Sequence, residues 1–326
     1  MAAAPGEFEL IARYFTRPVP AGRGDIALAV GDDCALLDPA RGEQWAVSTD
    51  TLVESVHFLP SVDPAALGHK ALAVNLSDLA ACGAEPRCFF LALALPAVDE
   101  AWLAAFSGGM FALADAHRCV LAGGDTTRSP LGVIITVTVM GSVPRGQALL
   151  RSGARRGDDV WVSGTLGDAA FGLALRQGGV AVAADARAAV ERLERPQPQV
   201  RLGLALRGLA TAAIDVSDGL LGDLGHILER SAVGARVDWN SVPRSPAVRG
   251  RPDAEQRRLA LAGGDDYELL FTAPSAQRGD VERAAASAGV AVTRIGEVTA
   301  TGRLELVDAD GRAMDTAPHA FDHFRP

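Results

Sequence analysis

The sequence predicts a mixed α/β protein in two halves. Three observations predict it. Short, partly β-branched apolar runs alternate with longer helical rhythms. A turn-rich, charged stretch interrupts the chain near its middle. The length of 326 residues corresponds to about two domains of roughly 150 residues each.

In the first half, residues 26–30, 45–48, 89–95, 119–122 and 133–140 read as strands. Asp63-Pro64 opens a helix, with Asp as N-cap and Pro at the first helical position. Its apolar rhythm runs to Gly83, a C-terminal stop. A second helix starts near Asp99-Glu100, whose acids suit the positive helix end, and runs to about residue 117. Pro144-Arg145-Gly146 and residues 151–159 form the break, which places the boundary at residue 147 and divides the chain into domains 1–147 and 148–326. The second half reopens with a strand at 160–163, the loop Gly164-Thr165-Leu166-Gly167 and a helix to about residue 177. Arg195-Pro196-Gln197-Pro198 separates two further helices. Residues 212–216 read as a strand, 217–230 as a helix, 241–252 as a surface loop and 267–272 as a strand.

Charge and composition narrow the function. Lys+Arg is 31 and Asp+Glu is 40, a net charge of −9. That balance argues against nucleic acid as the main partner, because such partners need a basic footprint. Lys70 is the only lysine, and it sits in Gly-His-Lys-Ala. A Walker-A phosphate loop needs Gly-Lys-Ser/Thr and is absent. The arginine preference itself fits a GC-rich coding bias. No G-x-G-x-x-G, H-E-x-x-H or G-x-S-x-G occurs. The N-terminus lacks a basic stretch followed by a long apolar run, and residues 89–95 and 133–140 fall far below a spanning length. A cytoplasmic protein with no membrane partner is expected. Cys34, Cys82, Cys88 and Cys119 form no C-x-x-C pair and read as reduced thiols. His319 and His323 read as structural or solvent-facing.

The informative feature is where the aspartates sit. Asp32-Asp33, Asp50, Asp125, Asp215 with Asp218, and Asp265-Asp266 all follow strands or Gly-Gly steps. Asp78 is carried inside a helix on an apolar sequence, where a carboxylate is costly unless paired or bound to a cation. Sites in α/β folds gather at strand ends, and glycine lets the backbone approach a phosphate closely. Short carboxylates with the hydroxyls of Ser48, Thr49, Ser77 and Thr126 are hard oxygen ligands suited to Mg²⁺. Each aspartate alone also reads as a helix cap or a turn residue, so capping and a multi-metal phosphate site both stay open on these residues. The loop from Gly164 to Asp168 sits where backbone N–H groups can hold a phosphate. Asn75-Leu76-Ser77-Asp78 is echoed by Asp215-Val216-Ser217-Asp218, and Ala122-Gly123-Gly124-Asp125 by Ala262-Gly263-Gly264-Asp265, with the aspartates 47 positions apart in each half. An old duplication and chance with shared anion-site chemistry both explain the echo.

A larger set of ordered motifs carries a resemblance. It comprises Gly6-Glu7-Phe8 with Leu10-Ile11, Gly31-Asp32-Asp33-Cys34-Ala35, Ser48-Thr49-Asp50-Thr51-Leu52-Val53, His57-Phe58 and Asn75-Leu76-Ser77-Asp78-Leu79-Ala80. It continues with Gly123-Gly124-Asp125-Thr126-Thr127, Arg151-Ser152-Gly153-Ala154 and Ile214-Asp215-Val216-Ser217-Asp218-Gly219-Leu220. It ends with Gly263-Gly264-Asp265-Asp266-Tyr267-Glu268-Leu269 and Phe321-Asp322-His323-Phe324. Across nearly its whole length the chain resembles the thiamine-monophosphate kinases, ATP-dependent enzymes of the aminoimidazole ribonucleotide synthetase (PurM)-like superfamily.

The resemblance implies a two-domain α/β (α+β) PurM-like fold. Its N-terminal domain would form a dimeric β-barrel with a partner subunit, and its C-terminal domain would cover the nucleotide cleft. It implies Mg²⁺ ligands at Asp33, Ser48, Thr49, Asp50, Asp78, Asp125, Asp215 and Asp218, with Asp50, Asp125 and Asp218 central to catalysis. ATP contacts fall on Gly124, Asp125, Arg151 and Ser217, and the thiamine side on His57, Asp265 and Phe321. Two departures stand out. Asp265 replaces the more usual Glu, and Phe321 replaces Tyr or Trp, which keeps ring stacking but loses a polar hydrogen bond.

The chemistry fits. Two phosphorylated molecules must approach each other on an acidic protein, which bound cations make favourable. The acceptor is a phosphate monoester with a second pKa of about 6, so it is already largely a nucleophilic dianion at neutral pH. With no Ser–His or Cys–His constellation, direct in-line transfer from ATP is expected. Other ATP-using members of the superfamily and a non-catalytic nucleotide-binding regulator are the competing readings. No cysteine precedes Cys34 and the tail ends His-Phe-Arg-Pro, which disfavours the selenophosphate synthetase and hydrogenase-maturation branches.

Overall fold

The computed structural model describes residues 10–30, 36–38, 40–178 and 187–314. Asp33, Cys34, His319, Phe321, His323 and the Gly6-Glu7-Phe8 motif lie outside the described residues. Two compact units are present, Met1–Leu79 with Ala84–Gly146, and Ala80–Gly83 with Gln147–Pro326.

The first unit is built on a four-stranded sheet. Its strands are β3 (Glu43–Val53), β4 (Glu85–Leu95), β5 (Val120–Arg128) and β6 (Ile134–Pro144), in the order β3-β6-β4-β5. The first three are antiparallel neighbours, whereas β4 and β5 are parallel. A parallel pair needs a crossover, and the helix Glu100–Ala116 supplies it. A short antiparallel pair, β1 (Ile26–Leu28) and β2 (Leu36–Leu37), precedes the sheet. Helix α1 (Pro64–Ala81) is buried on nearly every side, with Leu67, Leu72, Leu76 and Leu79 at most 1% exposed. Both helix starts follow the sequence reading. Asp63 Oδ1 accepts the N–H of Ala66, and Asp99 caps Ala101 and Trp102 at the head of α2 (Glu100–Ala116). The two helices touch through glycine. A Cβ on Gly68 would lie 2.0 Å from the Phe106 carbonyl oxygen, and one on Gly109 would lie 1.9 Å from that of Ala65.

The second unit carries a six-stranded sheet in the order β12-β9-β11-β7-β10-β8. Its strands are β7 (Asp158–Ser163), β8 (Ala212–Asp215), β9 (Gly234–Asp238), β10 (Leu269–Pro274), β11 (Val292–Thr299) and β12 (Leu304–Val307). Only the β9–β12 pair is parallel. Around it run α3 (Asp168–Gln177), α4 (Arg187–Glu194), α5 (Val200–Ala205), α6 (Leu220–Ser231), α7 (Pro246–Arg249), α8 (Asp253–Ala262) and α9 (Arg278–Ala288). One face of the sheet buries Val160, Val162, Ile214 and Leu270 against Leu220, Leu224 and Ile227 of α6. On the other face of β7, buried Asp159 accepts from Arg278 (2.8 Å to Nη2) and Arg294 (2.6 Å). Burial alone would raise Asp159, but the two guanidiniums outweigh it and hold the carboxyl below its ordinary range.

The structure corrects several expectations. β3 runs on to Val53 and β5 to Arg128, so Asp50 and Asp125 lie within strands rather than after them. The reading at 241–252 as loop is interrupted by the single-turn helix α7. The echoed tetrapeptides occupy different structures. Asp78 is helical while Asp218 sits in a loop, and Asp125 is in a strand while Asp265 follows a helix. Their likeness is not a structural repeat. Among the described residues no helix is long and apolar enough to cross a membrane.

Candidate active site

In the first unit, strand alternation sorts the predicted ligands onto two faces. Ser48 and Asp50 share the inner face of β3 with buried Leu52. Thr49 and Thr51 point to the outer face, where their hydroxyls meet Thr138 and Thr136 at 2.8 Å. The side chain of Thr49 is therefore turned away from Ser48 and Asp50. Asp78 comes from α1, and its Oδ2 accepts a short hydrogen bond from the Ser48 hydroxyl. Asp50 and Asp78 are hydrogen-bonded to each other. Burial, then the charge of Asp78 and this shared hydrogen bond, push Asp50 up to about 7. Two carboxylates that close hold one proton between them unless a cation replaces it. The donor set of two carboxylates and a hydroxyl fits a hard divalent cation. Among the described residues no three carboxylate, imidazole or thiol groups converge to hold a metal.

Asp125 lies elsewhere on the same sheet. It stands opposite Ala92, whose neighbours across the sheet are Thr136 and Thr51. Three inter-strand steps of about 4.8 Å put it roughly 14 Å from the Asp50 strand. Before it, Gly124 has φ +157°, and a Cβ there would lie 1.9 Å from the Leu91 carbonyl oxygen. Only glycine fits. His57 follows β3, beyond Ser55 at φ 65°. Its Nδ1 accepts the N–H of Val53 at 3.0 Å, so in the neutral ring the proton resides on Nε2.

In the second unit two motif loops are zipped together. The Val216 N–H donates to the Glu268 carbonyl (2.8 Å), the Tyr267 N–H to that of Val216 (2.9 Å), and the Asp265 N–H to that of Ser217 (2.9 Å). A Cβ on Gly264 would lie 2.3 Å from the Ser217 carbonyl oxygen. Asp215, Ser217, Asp218 and Asp265 are thus brought together. Asp265 and Tyr267 both adopt left-handed backbone, φ 68° and 51°, and the Tyr267 hydroxyl holds Asp265 Oδ1 at 3.0 Å. Strained non-glycine residues cluster at functional sites. Arg151 is placed differently. The neighbouring Leu150 carbonyl accepts from Ala213 at the start of β8, and the Arg151 carbonyl accepts from Ser231, the last residue of α6. That helix of 12 residues spans about 18 Å, so the Arg151 backbone lies at its far end from Ser217.

Buried residues to which sequence reasoning gave no role hold these loops. Asp223, 2% exposed, accepts the N–H groups of Ser217, Asp218 and Gly219 at 3.1 Å each. Burial, with Asp218 nearby, pushes it up to about 7 against those three donors. Asp266 accepts from Gly167 (2.7 Å) and Ala169 (3.3 Å). Burial pushes it up to about 8, opposed by these amides and Arg192. Glu268 receives Ser163, Arg192 (2.6 Å) and Gln199 (2.9 Å). Burial raises it, and Arg192 is the main opposing charge. One signal was available in sequence: Asp223 interrupts the apolar stripe Leu220, Leu224, Ile227 of α6. The loop from Gly164 to Asp168 is corrected as a phosphate cradle. Its amides at Gly164, Leu166 and Gly167 already donate to Ala291, Pro243 and Asp266.

Comparison with known proteins agrees with this architecture. Residues 31–143 match the family "AIR synthase related protein, N-terminal domain", and residues 155–309 its C-terminal domain family. The thiamine-monophosphate kinase of Escherichia coli (strain K12) is 50% identical over 324 residues, covering 98% of this chain and 99% of that protein. The crystal structure of the thiamine-monophosphate kinase from Stenotrophomonas maltophilia K279a is 50% identical, with a TM-score of 0.84, covering 90% of this chain and 93% of that one. A solved structure of AaThiL complexed with AMPPCP and TMP is 31% identical, with a TM-score of 0.76 and coverages of 91% and 92%. On this full-length similarity, the chain belongs to the thiamine-monophosphate kinases, within the AIR synthase related proteins.

Proposed function

We propose that this enzyme transfers the γ-phosphoryl group of ATP to the phosphate of thiamine monophosphate, giving ADP and thiamine diphosphate. The observation that carries this is the 50% identity to a thiamine-monophosphate kinase along essentially the whole of both chains. The relative solved with AMPPCP and TMP supports the pairing of donor and acceptor.

The chemistry needs little from a general base, because the acceptor phosphate is already largely a dianion with its second pKa at about 6. The γ-phosphoryl bond to the ADP oxygen breaks as the bond to the acceptor oxygen forms, and no protein group need carry the phosphoryl. Ser48, Asp50 and Asp78 fit a divalent cation; Asp33, Asp125, Asp215 and Asp218 are proposed as further Mg²⁺ ligands, and Thr49 through its backbone carbonyl, since its hydroxyl faces the other way. Mg²⁺ bound there would neutralise phosphate charge as the transfer proceeds. Gly124, Asp125, Arg151 and Ser217 are proposed to contact ATP. His57, with its proton on Nε2, Asp265, held by Tyr267, and Phe321 are proposed for the thiamine side. The outer face of the first unit's sheet, with exposed Thr49, Thr51 and Ala92, supports a homodimer. A cytoplasmic location and the domain boundary at residue 147 are proposed with this reading.

A coupled ADP-release assay with ATP, Mg²⁺ and either thiamine monophosphate or free thiamine tests the proposal. Turnover with thiamine monophosphate alone is expected. Turnover with free thiamine alone would overturn the substrate assignment.

A further inference from the structure

The strand-to-helix passage from Asp215 to Leu220 has the geometry that elsewhere binds phosphate, with consecutive amides at the head of a helix. Here those amides are already used. Three successive N–H groups, of Ser217, Asp218 and Gly219, converge on one oxygen, Asp223 Oδ2, at 3.1 Å each. The carboxylate comes from the first turns of the same helix, whose Asp223 N–H returns to the Gly219 carbonyl at 3.0 Å. The remaining backbone groups are also spoken for. The Ser217 carbonyl takes Asp265, and both polar groups of Val216 pair with Tyr267 and Glu268. Counting every backbone donor and acceptor of Ser217 leaves only its hydroxyl, which has no hydrogen-bond partner among the described residues. The passage into α3 is handled alike, with Asp266 on Gly167 and Ala169. In both places a buried carboxylate of the chain occupies the anion position at a helix head.

We infer that Asp223 is a positioning residue that fills the amide nest at the head of α6, so that Ser217 meets the nucleotide through its hydroxyl and not through backbone N–H groups. This rests on the assignment of Ser217 to ATP made above. It reverses the usual division of labour at a glycine loop. The backbone is held by the protein's own anion, and the two half-buried side chains it carries, Ser217 and Asp218, are fixed at its head. The phosphate is then recognised by a hydroxyl and by whatever cation Asp218 holds, which suits a chain with no lysine to spare for it.

Three variants and one exchange measurement test this. Binding of AMPPCP in the presence of Mg²⁺ is measured by calorimetry, and KM for each substrate by steady-state kinetics. Ser217→Ala should weaken AMPPCP binding about tenfold, because no amide is available to compensate. Asp223→Ala should raise KM for ATP about tenfold and lower kcat, with KM for thiamine monophosphate changed less than about twofold. Asp223→Asn keeps an acceptor oxygen and should restore KM for ATP to near the parent value. Amide hydrogen exchange on the parent protein does not depend on the variants folding. Residues 217–219 should be protected before nucleotide is added and gain no further protection with Mg²⁺ and AMPPCP. The inference is overturned by parent-like AMPPCP binding in Ser217→Ala, by Asp223→Asn losing as much as Asp223→Ala, or by new protection of those amides on binding. If AMPPCP binds as described but thiamine monophosphate is not phosphorylated, the functional reading fails and the inference about the nest stands.

Discussion

Asp50 is the residue on which the proposed metal chemistry turns. It is half-buried, shares a hydrogen bond with Asp78, and has Ser48 two residues away on the same face. Asp50→Asn should reduce turnover at least about a hundredfold, because the proposed cation ligand, worth several kcal/mol, would be lost. The same change relieves the repulsion from Asp78, so the metal-free variant should melt no lower than the parent. A folded, fully active variant would sink the assignment. The raised value of Asp50 also sets a pH dependence. A cation must displace the proton held there, so the Mg²⁺ concentration for half-maximal activity should rise as pH falls through about 7. A requirement flat across that range would count against the pair. Asp50 and Asp78 were singled out in sequence, Asp50 by its place beside an apolar run and Asp78 because a carboxylate inside an apolar helix needs a partner, and the structure brings the two together. The roles of Asp223 and Asp266 were not legible there: Asp223 showed only as a break in an apolar stripe, and the amides that Asp266 satisfies lie 99 and 97 residues away in the chain. Only the folded chain shows that an acid at one position caps a helix or loop at another.

At the scale of elements, the helices that were read lie close to their observed bounds, α8 and α9 were not read at all, and most strands were read too short. Asp63 and Asp99 act through local capping rules, so their helices begin where the sequence says. β3 and β5 extend through Asp50 and Asp125 because the ladder continues while their side chains turn polar, and period-2 apolarity stops before the hydrogen bonds do. β9 and β12 escaped because they are only five and four residues long, and β11 because Arg294, Gly296 and Glu297 break up its apolar residues. Helix contact gives a sharp test. Gly68→Ala gains about 1 kcal/mol of helix propensity, yet its Cβ would sit 2.0 Å from the Phe106 carbonyl oxygen. Net destabilisation of about 2 kcal/mol or more is expected in chemical denaturation. Asp159 adds a sheet-level prediction. Its carboxyl is lowered in the folded state, so its contribution is complete above the unfolded value of about 4 and is lost as pH falls through the lower folded value. Asp159→Asn should cost about 2 kcal/mol near neutrality and flatten that acid-side loss. An unchanged acid limb would contradict the role given to Arg278 and Arg294.

At the scale of the whole molecule, the outer face of the first unit's sheet is exposed among the described residues. Val47 is 58% exposed there, beside the exposed Thr49 and Thr51. If a second copy covers this face, sedimentation should show a dimer, and Val47→Asp should shift it toward monomer. A parent that sediments as a monomer at micromolar concentration would remove the homodimer from the account. The two-part α/β organisation and the acidic character were legible from alternation, the central break and the aspartates. The pairing of the Asp215 and Asp265 motifs was not, because 50 residues separate them in the chain and only the hydrogen bonds between their loops bring them side by side. The central claim is phosphoryl transfer from ATP onto the phosphate of thiamine monophosphate. Chromatographic measurement of products from the purified protein with ATP, Mg²⁺ and thiamine monophosphate tests it most directly. The account predicts thiamine diphosphate and ADP in equal amounts. ADP formed without thiamine diphosphate, or no turnover at all, would contradict it.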